Sequence, residues 1–173
     1  MTIVGASDRA ASPEARFHAL FSRHYPEVFG YAARRVGRDD AGDAAADVFT
    51  IAWRRLERIP SEPEALPWLY GVARRVVANH ERAANRRRRL EARAAAYATG
   101  ASFGPEPLGS DVAAALSRLS PSDREVLRLA AWEDLPPAEI AVVIGCSPNA
   151  ASVRLHRARR RLAEQMQRGG HSP

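Results

Sequence analysis

The sequence contains no lysine. All 26 of its basic residues are arginine, set against 20 acidic residues, for a net charge of +6. Cys146 is the only cysteine, which excludes an internal disulfide, and a lone thiol does not make a zinc site. No apolar run approaches the ~20 residues that span a bilayer, and residues 1–11 lack the apolar stretch of a secretory signal. These absences predict a soluble, cytoplasmic protein with no membrane insertion.

Aromatic residues are also few, at 7% of 173 residues, although 46% of the chain is apolar. A core must therefore be built mainly from Ala, Leu and Val. No paired carboxylate and histidine, phosphate-binding glycine loop or nucleophile motif is present. The sequence predicts a protein that is not an enzyme, with no cofactor and no metal. The arginine excess fits a polyanionic partner, although a GC-rich genome also raises arginine and alanine content.

Helical periodicity runs through the first 90 residues. Ser12-Pro13 predicts the start of a first helix. Residues 37–40 are predicted to interrupt it, residues 41–58 to form a second helix and residues 59–63 a loop. Ser61 and Glu64, at capping-box spacing, precede a third helix. The predicted inward residues are Phe17, Leu20, Phe21, Val28, Phe29, Ala32 and Val36, then Ala45, Val48, Phe49, Ala52 and Leu56, then Leu66, Leu69, Val72, Ala73 and Val76.

A Gly/Pro-rich stretch without periodicity follows, and helical patterns resume after it. We predict an all-α protein of two helical domains, residues 12–94 and 111–168, joined by a flexible linker at residues 95–110. The second domain is expected to contain four helices, with Ser120-Pro121 and Ser147-Pro148 capping two of them. No strand pattern competes with this interpretation.

The spacing of Ala141, Gly145 and Ala151 predicts a helix-turn-helix. Such a unit needs a small residue at the helix crossing, a glycine in the turn and an apolar residue in the second helix. That second helix carries an inward stripe and a basic, hydrogen-bonding outer face that suits the major groove of DNA. A solvated arginine-rich surface helix is the alternative. The outer face comprises Asn149, Ser152, Arg154, His156, Arg157, Arg159, Arg160 and Arg161.

A second basic cluster lies on the third helix. Between Arg74 and Arg93 the sequence has eight arginines and two acids, Glu81 and Glu91. Guanidinium planes can bind the phosphates and stack on the bases of a separated strand. Core packing is the more favoured interpretation of Trp68 at the start of this helix, and a solvated helix end is an alternative for the arginines.

Two motif sets resemble the extracytoplasmic-function (group IV) sigma factors of bacterial RNA polymerase. The run from Asp43 to Leu56 and the run from Pro67 to Arg74 resemble the second region of that family. The runs 116–127, 139–141 and 153–159 resemble its fourth region. The resemblance covers residues 17–90 and 112–162, nearly everything except the termini and the linker.

The resemblance implies the roles of particular residues. Asp43 and Asp47 would dock on the largest subunit of core RNA polymerase. Residues of the second region would capture the unpaired minus-10 strand of promoter DNA, and residues of the fourth would face the minus-35 duplex. Such factors are often inhibited by an anti-sigma factor. The minus-10 set is Arg55, Ile59, Trp68, Arg75, Asn79 and Arg82; the minus-35 set is Asn149, Ser152, Val153, His156, Arg157 and Arg160.

The sequence departs from the family pattern at three places. Ala46 stands where glutamine is frequent, and Arg75 stands where asparagine is frequent. Residues 149–153 carry fewer polar groups than usual, which indicates reading through methyl contacts and DNA shape. The main functional alternative is a stand-alone helix-turn-helix regulator that binds duplex DNA without polymerase. An enzyme with an accessory DNA-binding domain would need a catalytic cluster that the sequence lacks.

Overall fold

The computed structural model describes residues 12–94 and 110–169. The chain divides into two compact units between residues 88 and 89. Both units are helical, and no strand occurs in the two described ranges. The predicted all-α fold is therefore confirmed. The predicted linker lies outside the described residues except for Ser110, which begins a helix.

The first helix, α1 (Pro13–Val36), begins where the sequence predicts it. Ser12 is the N-cap, and the backbone N–H of Ala15 donates to Ser12 Oγ at 3.2 Å. Pro13 occupies the first helical position, where a backbone N–H would have no helical partner. The backbone N–H of Glu14 and the Ser12 hydroxyl both donate to the Glu14 carboxylate, which lowers the pKa of Glu14 below its ordinary value.

Gly37 alone separates α1 from the second helix, α2 (Arg38–Arg54). Its φ of +88° is a conformation that glycine adopts without steric cost. The sequence predicts a break over residues 37–40, but the helix resumes at Arg38 because one such residue is enough to redirect the chain. Asp39 and Asp40 then lie in the first turn of α2, where carboxylates interact favourably with the helix dipole.

A short 3-10 helix and a loop connect α2 to α3 (Ala65–Ala94). The 3-10 helix spans Leu56–Arg58, so the predicted second helix ends as an α-helix at Arg54. At the predicted capping box, the backbone N–H of Glu64 donates to the carbonyl of Ser61 at 3.1 Å. The α-helix itself begins one residue after Glu64.

Alanine dominates the core of the N-terminal unit. Four alanines of α2 have no solvent exposure, and small side chains let neighbouring helices approach closely. Stacked tyrosine rings, Tyr31 from α1 and Tyr70 from α3, lie 5.2 Å apart and join those helices. The other buried residues include Val28, Ala32, Val48, Phe49, Leu69, Val72, Ala73 and Val76.

Of the three phenylalanines predicted to face inward on α1, only Phe21 is exposed; Phe17 and Phe29 are half-buried. Phe21 is 37% exposed and packs against Phe17, which in turn contacts Trp53, itself 43% exposed. Phe21 also packs edge-on against the buried Phe49 of α2, so its ring lies at the edge of the contact between the two helices. His24, which the sequence analysis did not place inward, is buried at 4% exposure.

The C-terminal unit contains the four expected helices. These are α4 (Ser110–Ser117), α5 (Pro121–Ala131), α6 (Pro137–Ile144) and α7 (Pro148–Gly169). The last helix packs against each of the other three and extends two residues beyond the predicted end at Gln167. Leu129 and Ile140 are completely buried between the helices, and Ser120 caps α5 by accepting from the backbone N–H of Asp123.

Candidate nucleic-acid interface

The turn between α6 and α7 has the geometry of a helix-turn-helix. Gly145 adopts the left-handed conformation, with φ of +73°, and ends α6. The backbone N–H groups of Gly145 and Cys146 both donate to the carbonyl of Ala141, at 2.9 and 3.0 Å. Ala141 and Ala151 are buried at 3% and 0% exposure. The three residues that predict the motif therefore perform the expected roles: close helix crossing, turn and inward packing.

The start of α7 is fixed by Ser147. Its hydroxyl accepts from the backbone N–H of Ala150 at 3.2 Å. Ser152 donates its hydroxyl to the carbonyl of Pro148 at 3.0 Å, within the same turn. The Ser147 bond satisfies a backbone N–H that the start of a helix leaves without a helical partner. The first two turns of α7 consequently project from a defined position on the C-terminal unit.

The six residues predicted to face minus-35 DNA all lie on the exposed surface of α7. The inward stripe consists of Ala151, Leu155 and Ala158, which are buried at 5% exposure or less. Arg160 contacts Glu164 one turn later, with N and O 3.4 Å apart. The six residues are Asn149, Ser152, Val153, His156, Arg157 and Arg160.

Arg161 differs from the neighbouring arginines of α7. Its guanidinium donates to Asp123 Oδ2 at 2.6 Å, and the Asp123 side chain is only 7% exposed. The sequence predicts Arg161 on the exposed basic face, and the side chain is exposed, but it also joins α7 to the first turn of α5. The two residues are 38 positions apart, so only the folded packing brings them together.

The predicted minus-10 residues of α3 form an exposed row. Arg75, Asn79 and Arg82 are exposed, and Arg82 donates to the Asn79 side-chain oxygen. Trp68 is half-buried, which agrees with the packing role favoured for it. The described basic residues continue along the helix as Arg86, Arg87 and Arg88, all exposed.

The remaining two minus-10 residues precede α3. Arg55 is exposed and ends α2, whereas Ile59 is half-buried and follows the 3-10 helix. Two contacts hold this segment against α1. His24 Nε2 lies 2.6 Å from Glu62 Oε1, and Arg16 donates to Glu57 Oε1 at 2.8 Å.

Both acidic residues predicted to bind polymerase, Asp43 and Asp47, are exposed on α2, and Asp47 also contacts α3. Asp47 Oδ2 lies 2.9 Å from His80 Nε2 on α3, where the ring N–H can donate to the carboxylate. The pair borders a pocket between α2 and α3 with a volume of about 290 Å³. The pocket also includes Asn79, so the acidic surface of α2 is continuous with the predicted minus-10 row of α3.

Within residues 12–94 and 110–169, no group of His, Cys, Asp and Glu side chains is arranged to hold a metal ion. None of the helices there combines the length and apolar character needed to cross a membrane.

Comparison with known proteins identifies the two units. The family model for Sigma-70 region 2 matches residues 20–87, and that for Sigma-70 region 4 matches residues 110–162. The RNA polymerase sigma factor CarQ of Myxococcus xanthus is 33% identical over 156 residues, which cover 86% of this chain and 87% of CarQ. The ECF RNA polymerase sigma factor SigD of Mycobacterium tuberculosis H37Rv is 30% identical over 157 residues, covering 84% and 74%.

Solved structures agree with this assignment. CnrH, determined in complex with the cytosolic domain of CnrY, is 26% identical, with a TM-score of 0.61 and 96% coverage of both chains. RpoE from Bartonella quintana, determined with the anti-sigma factor NepR, is 23% identical and shares the fold, with a TM-score of 0.58 and coverage of 87% and 96%.

A region-2 helical unit followed by a region-4 helix-turn-helix defines a sigma-70 type transcription factor, a class of regulatory DNA-recognition proteins. The 30% identity to SigD, an ECF sigma factor, over most of both chains places this chain in one group within that class. The chain belongs to the extracytoplasmic-function sigma factors, as its motifs indicate.

Proposed function

We propose that this protein binds core RNA polymerase and directs it to promoters through two separate DNA-binding surfaces. The observation that carries the proposal is the presence, in one chain, of an exposed basic row on α3 and an exposed basic face on α7. A free-standing duplex-binding regulator needs only the second. The chemistry of RNA synthesis belongs to the polymerase, and the sigma factor acts by recognition.

The α7 face is proposed to read the minus-35 duplex. Asn149, Ser152, His156 and Arg157 offer hydrogen-bonding groups, and Val153 offers methyl groups at 41% exposure. Side chains of these kinds read base edges in the major groove, including the thymine methyl. Arg160, more than three turns into the helix, is suited to a phosphate.

The α3 row is proposed to bind the unpaired minus-10 strand. Arg75, Asn79 and Arg82 supply charge and hydrogen bonds along a line that a single strand can follow. Arg55 and Ile59 would border the pocket for one flipped base, and Trp68 would support the start of α3 from its half-buried position.

Asp43 and Asp47 are proposed to bind the largest subunit of core polymerase. Both carboxylates are reachable from solvent, and α2 presents them on the surface opposite its alanine-rich buried side. Ala46, between them, offers no hydrogen bond where related factors frequently have glutamine. The docking surface would therefore depend more on these two charges than it does in such relatives.

The proposal has three further parts: an anti-sigma factor regulates the protein, the protein acts in the cytoplasm, and its domains divide as the sequence predicts. The Bartonella RpoE was determined with the anti-sigma factor NepR, and CnrH with the cytosolic domain of CnrY. Their likeness to this chain supports the expectation of such a partner. Residues 12–94 would form the polymerase- and minus-10-binding domain, and residues 111–168 the minus-35-binding domain.

The direct test is co-purification with core RNA polymerase, followed by sequencing of transcripts initiated in vitro on genomic DNA. We expect a stable complex and discrete new start sites with a shared upstream motif. The Asp43→Ala/Asp47→Ala double variant should lose core binding while its isolated fold remains intact. A chain that ignores core polymerase but shifts duplex DNA alone would instead be a stand-alone regulator.

A further inference from the structure

Side chains of α1 contact the segment between α2 and α3 at two carboxylates. We define residues 55–64 as the capture loop, since the proposed base pocket lies between Arg55 and Ile59 in it. Only three of its residues form the 3-10 helix, Leu56–Arg58. Three side chains of α1 contact two carboxylates that lie on either side of Ile59.

The contact nearer to α3 joins Glu62 of the loop to a buried histidine of α1. His24 is 4% exposed as a residue, and its Nε2 lies 2.6 Å from Glu62 Oε1. Arg23 Nε lies 3.5 Å from the same oxygen. The Glu62 side chain is 40% exposed, so the loop carboxylate reaches inward from the surface to a histidine fixed within the helix packing.

The contact nearer to α2 is peripheral. Arg16 donates to Glu57 Oε1 at 2.8 Å, with the two side chains 25% and 76% exposed. An exposed ion pair of this kind contributes little to global stability. Its position, together with that of the His24–Glu62 contact, limits the movement of the loop on both sides of the pocket.

A histidine is a costly choice for this buried position if stability were its only role. A buried polar side chain requires a partner, whereas an apolar one of similar volume needs none. Here the only partner that the described residues provide for the ring Nε2 is a loop carboxylate 38 positions away. Because the His24 ring is fixed by its burial, its contact with Glu62 also fixes the position of the loop.

We propose that His24 is a positioning residue for strand capture: through Glu62 it holds the capture loop in the conformation that receives the flipped base. The inference rests on the proposed role of Arg55 and Ile59 in that pocket. A loop held in its bound conformation before the strand arrives avoids the ordering cost of binding. Binding geometry supported in this way by residues behind the site is what gives a pocket its selectivity.

The test uses the full-length chain in holoenzyme and measures selectivity at one base. The probe is a non-template oligonucleotide from a promoter mapped with this holoenzyme, with each minus-10 base replaced in turn by an abasic site. The wild-type ratio of intact to abasic affinity identifies the captured base. In Glu62→Ala we expect that ratio to fall about three- to tenfold, the cost of ordering one or two side chains on binding. Affinity for the abasic probe should stay unchanged.

Two further variants separate position from charge. Glu62→Gln loses the same negative charge but keeps an oxygen that accepts from His24, so it should retain most of the ratio. Glu64→Ala removes a nearby exposed carboxylate that, unlike that of Glu62, does not contact the described residues of α1, and it should behave as wild type. Equal ratios in Glu62→Ala and wild type would overturn the proposal, as would an equal loss in Glu64→Ala.

Hydrogen exchange on the same full-length chains is a second measurement. Amides of residues 59–64 should exchange faster in Glu62→Ala than in Glu62→Gln, with α1 and α2 unaffected. Unchanged exchange in the loop would contradict the positioning role. A wild-type holoenzyme that initiates at promoters but shows no base dependence at minus-10 would refute the proposed pocket itself, which is a different result from loss of selectivity in one variant.

Discussion

Replacing Arg161 by alanine tests whether the buried end of the Asp123–Arg161 pair governs the stability of the C-terminal unit. The Asp123 side chain is 7% exposed and that of Arg161 is 52% exposed. Removing one partner of a fully buried pair costs about 3–5 kcal/mol, because the other charge stays buried and unpaired. Water reaches the Arg161 end, so we expect a lower cost of about 2 kcal/mol.

The reverse replacement should be milder. Asp123→Ala leaves only Arg161 without its partner, and that side chain can turn into solvent. Its expected cost is about 1 kcal/mol, the worth of one hydrogen bond. The double variant has no buried charge left to satisfy, so it should be more stable than Arg161→Ala alone. This order of stability follows from the difference in exposure of the two side chains.

The assay is thermal and denaturant unfolding of the full-length chain, with hydrogen exchange to locate the change in α5 and α7. For a unit of about 60 residues, 2 kcal/mol corresponds to a fall in Tm of about 10 °C. Arg160→Ala is the matched control, since its exposed contact with Glu164 is worth less than about 0.5 kcal/mol. A double variant that is less stable than Arg161→Ala alone would refute the reasoning.

Other replacements address the turn, the DNA-reading face and the polymerase surface. Gly145→Ala should destabilise the fold by about 1–2 kcal/mol, because Gly145 has a positive φ. Gly42→Ala should stabilise it by about 0.5–1 kcal/mol, because Gly42 lies within α2 with open space around it. Thermal unfolding should therefore show a lower Tm for the first variant and a higher Tm for the second. Arg157→Ala should weaken promoter binding by about 1–3 kcal/mol and relax one minus-35 position, measured by competition with singly substituted duplexes; unaltered sequence preference would argue against base contact. Asp47→Ala should lower core affinity in a co-purification titration, whereas His80→Ala should leave it equal or raise it, because the carboxylate is freed; a matching loss in both would assign the effect to packing instead.

Local patterns predicted most of the helices because their causes are local. Ser12 and Ser120 cap α1 and α5 with bonds to residues three positions later. The spacing of Ala141 and Gly145 was sufficient to predict a turn whose bonds span only four or five residues. Phe21 is the exception on α1, because periodicity identifies the apolar side of a helix but not which ring at the edge of that side stays exposed.

Long-range polar contacts could not be predicted in the same way. His24–Glu62, Asp47–His80 and Asp123–Arg161 join residues 33 to 38 positions apart. Nothing in the sequence distinguishes Arg161 from Arg160 beside it, since both are arginines on one basic helix. The difference arises because Arg161 extends towards a carboxylate at the start of α5, whereas Arg160 faces solvent.

Asp47 shows how such a contact changes the meaning of a predicted site residue. The family resemblance implies that Asp47 binds polymerase and that Asn79 binds DNA, as two separate roles. In the structure, Asp47 contacts His80, the residue next to Asn79, and both border the same pocket between α2 and α3. A polymerase group that competes for the Asp47 carboxylate would release His80 beside the proposed strand-binding row. Polymerase docking and strand capture would then be energetically coupled through one hydrogen bond, and such coupling acts equally in both directions.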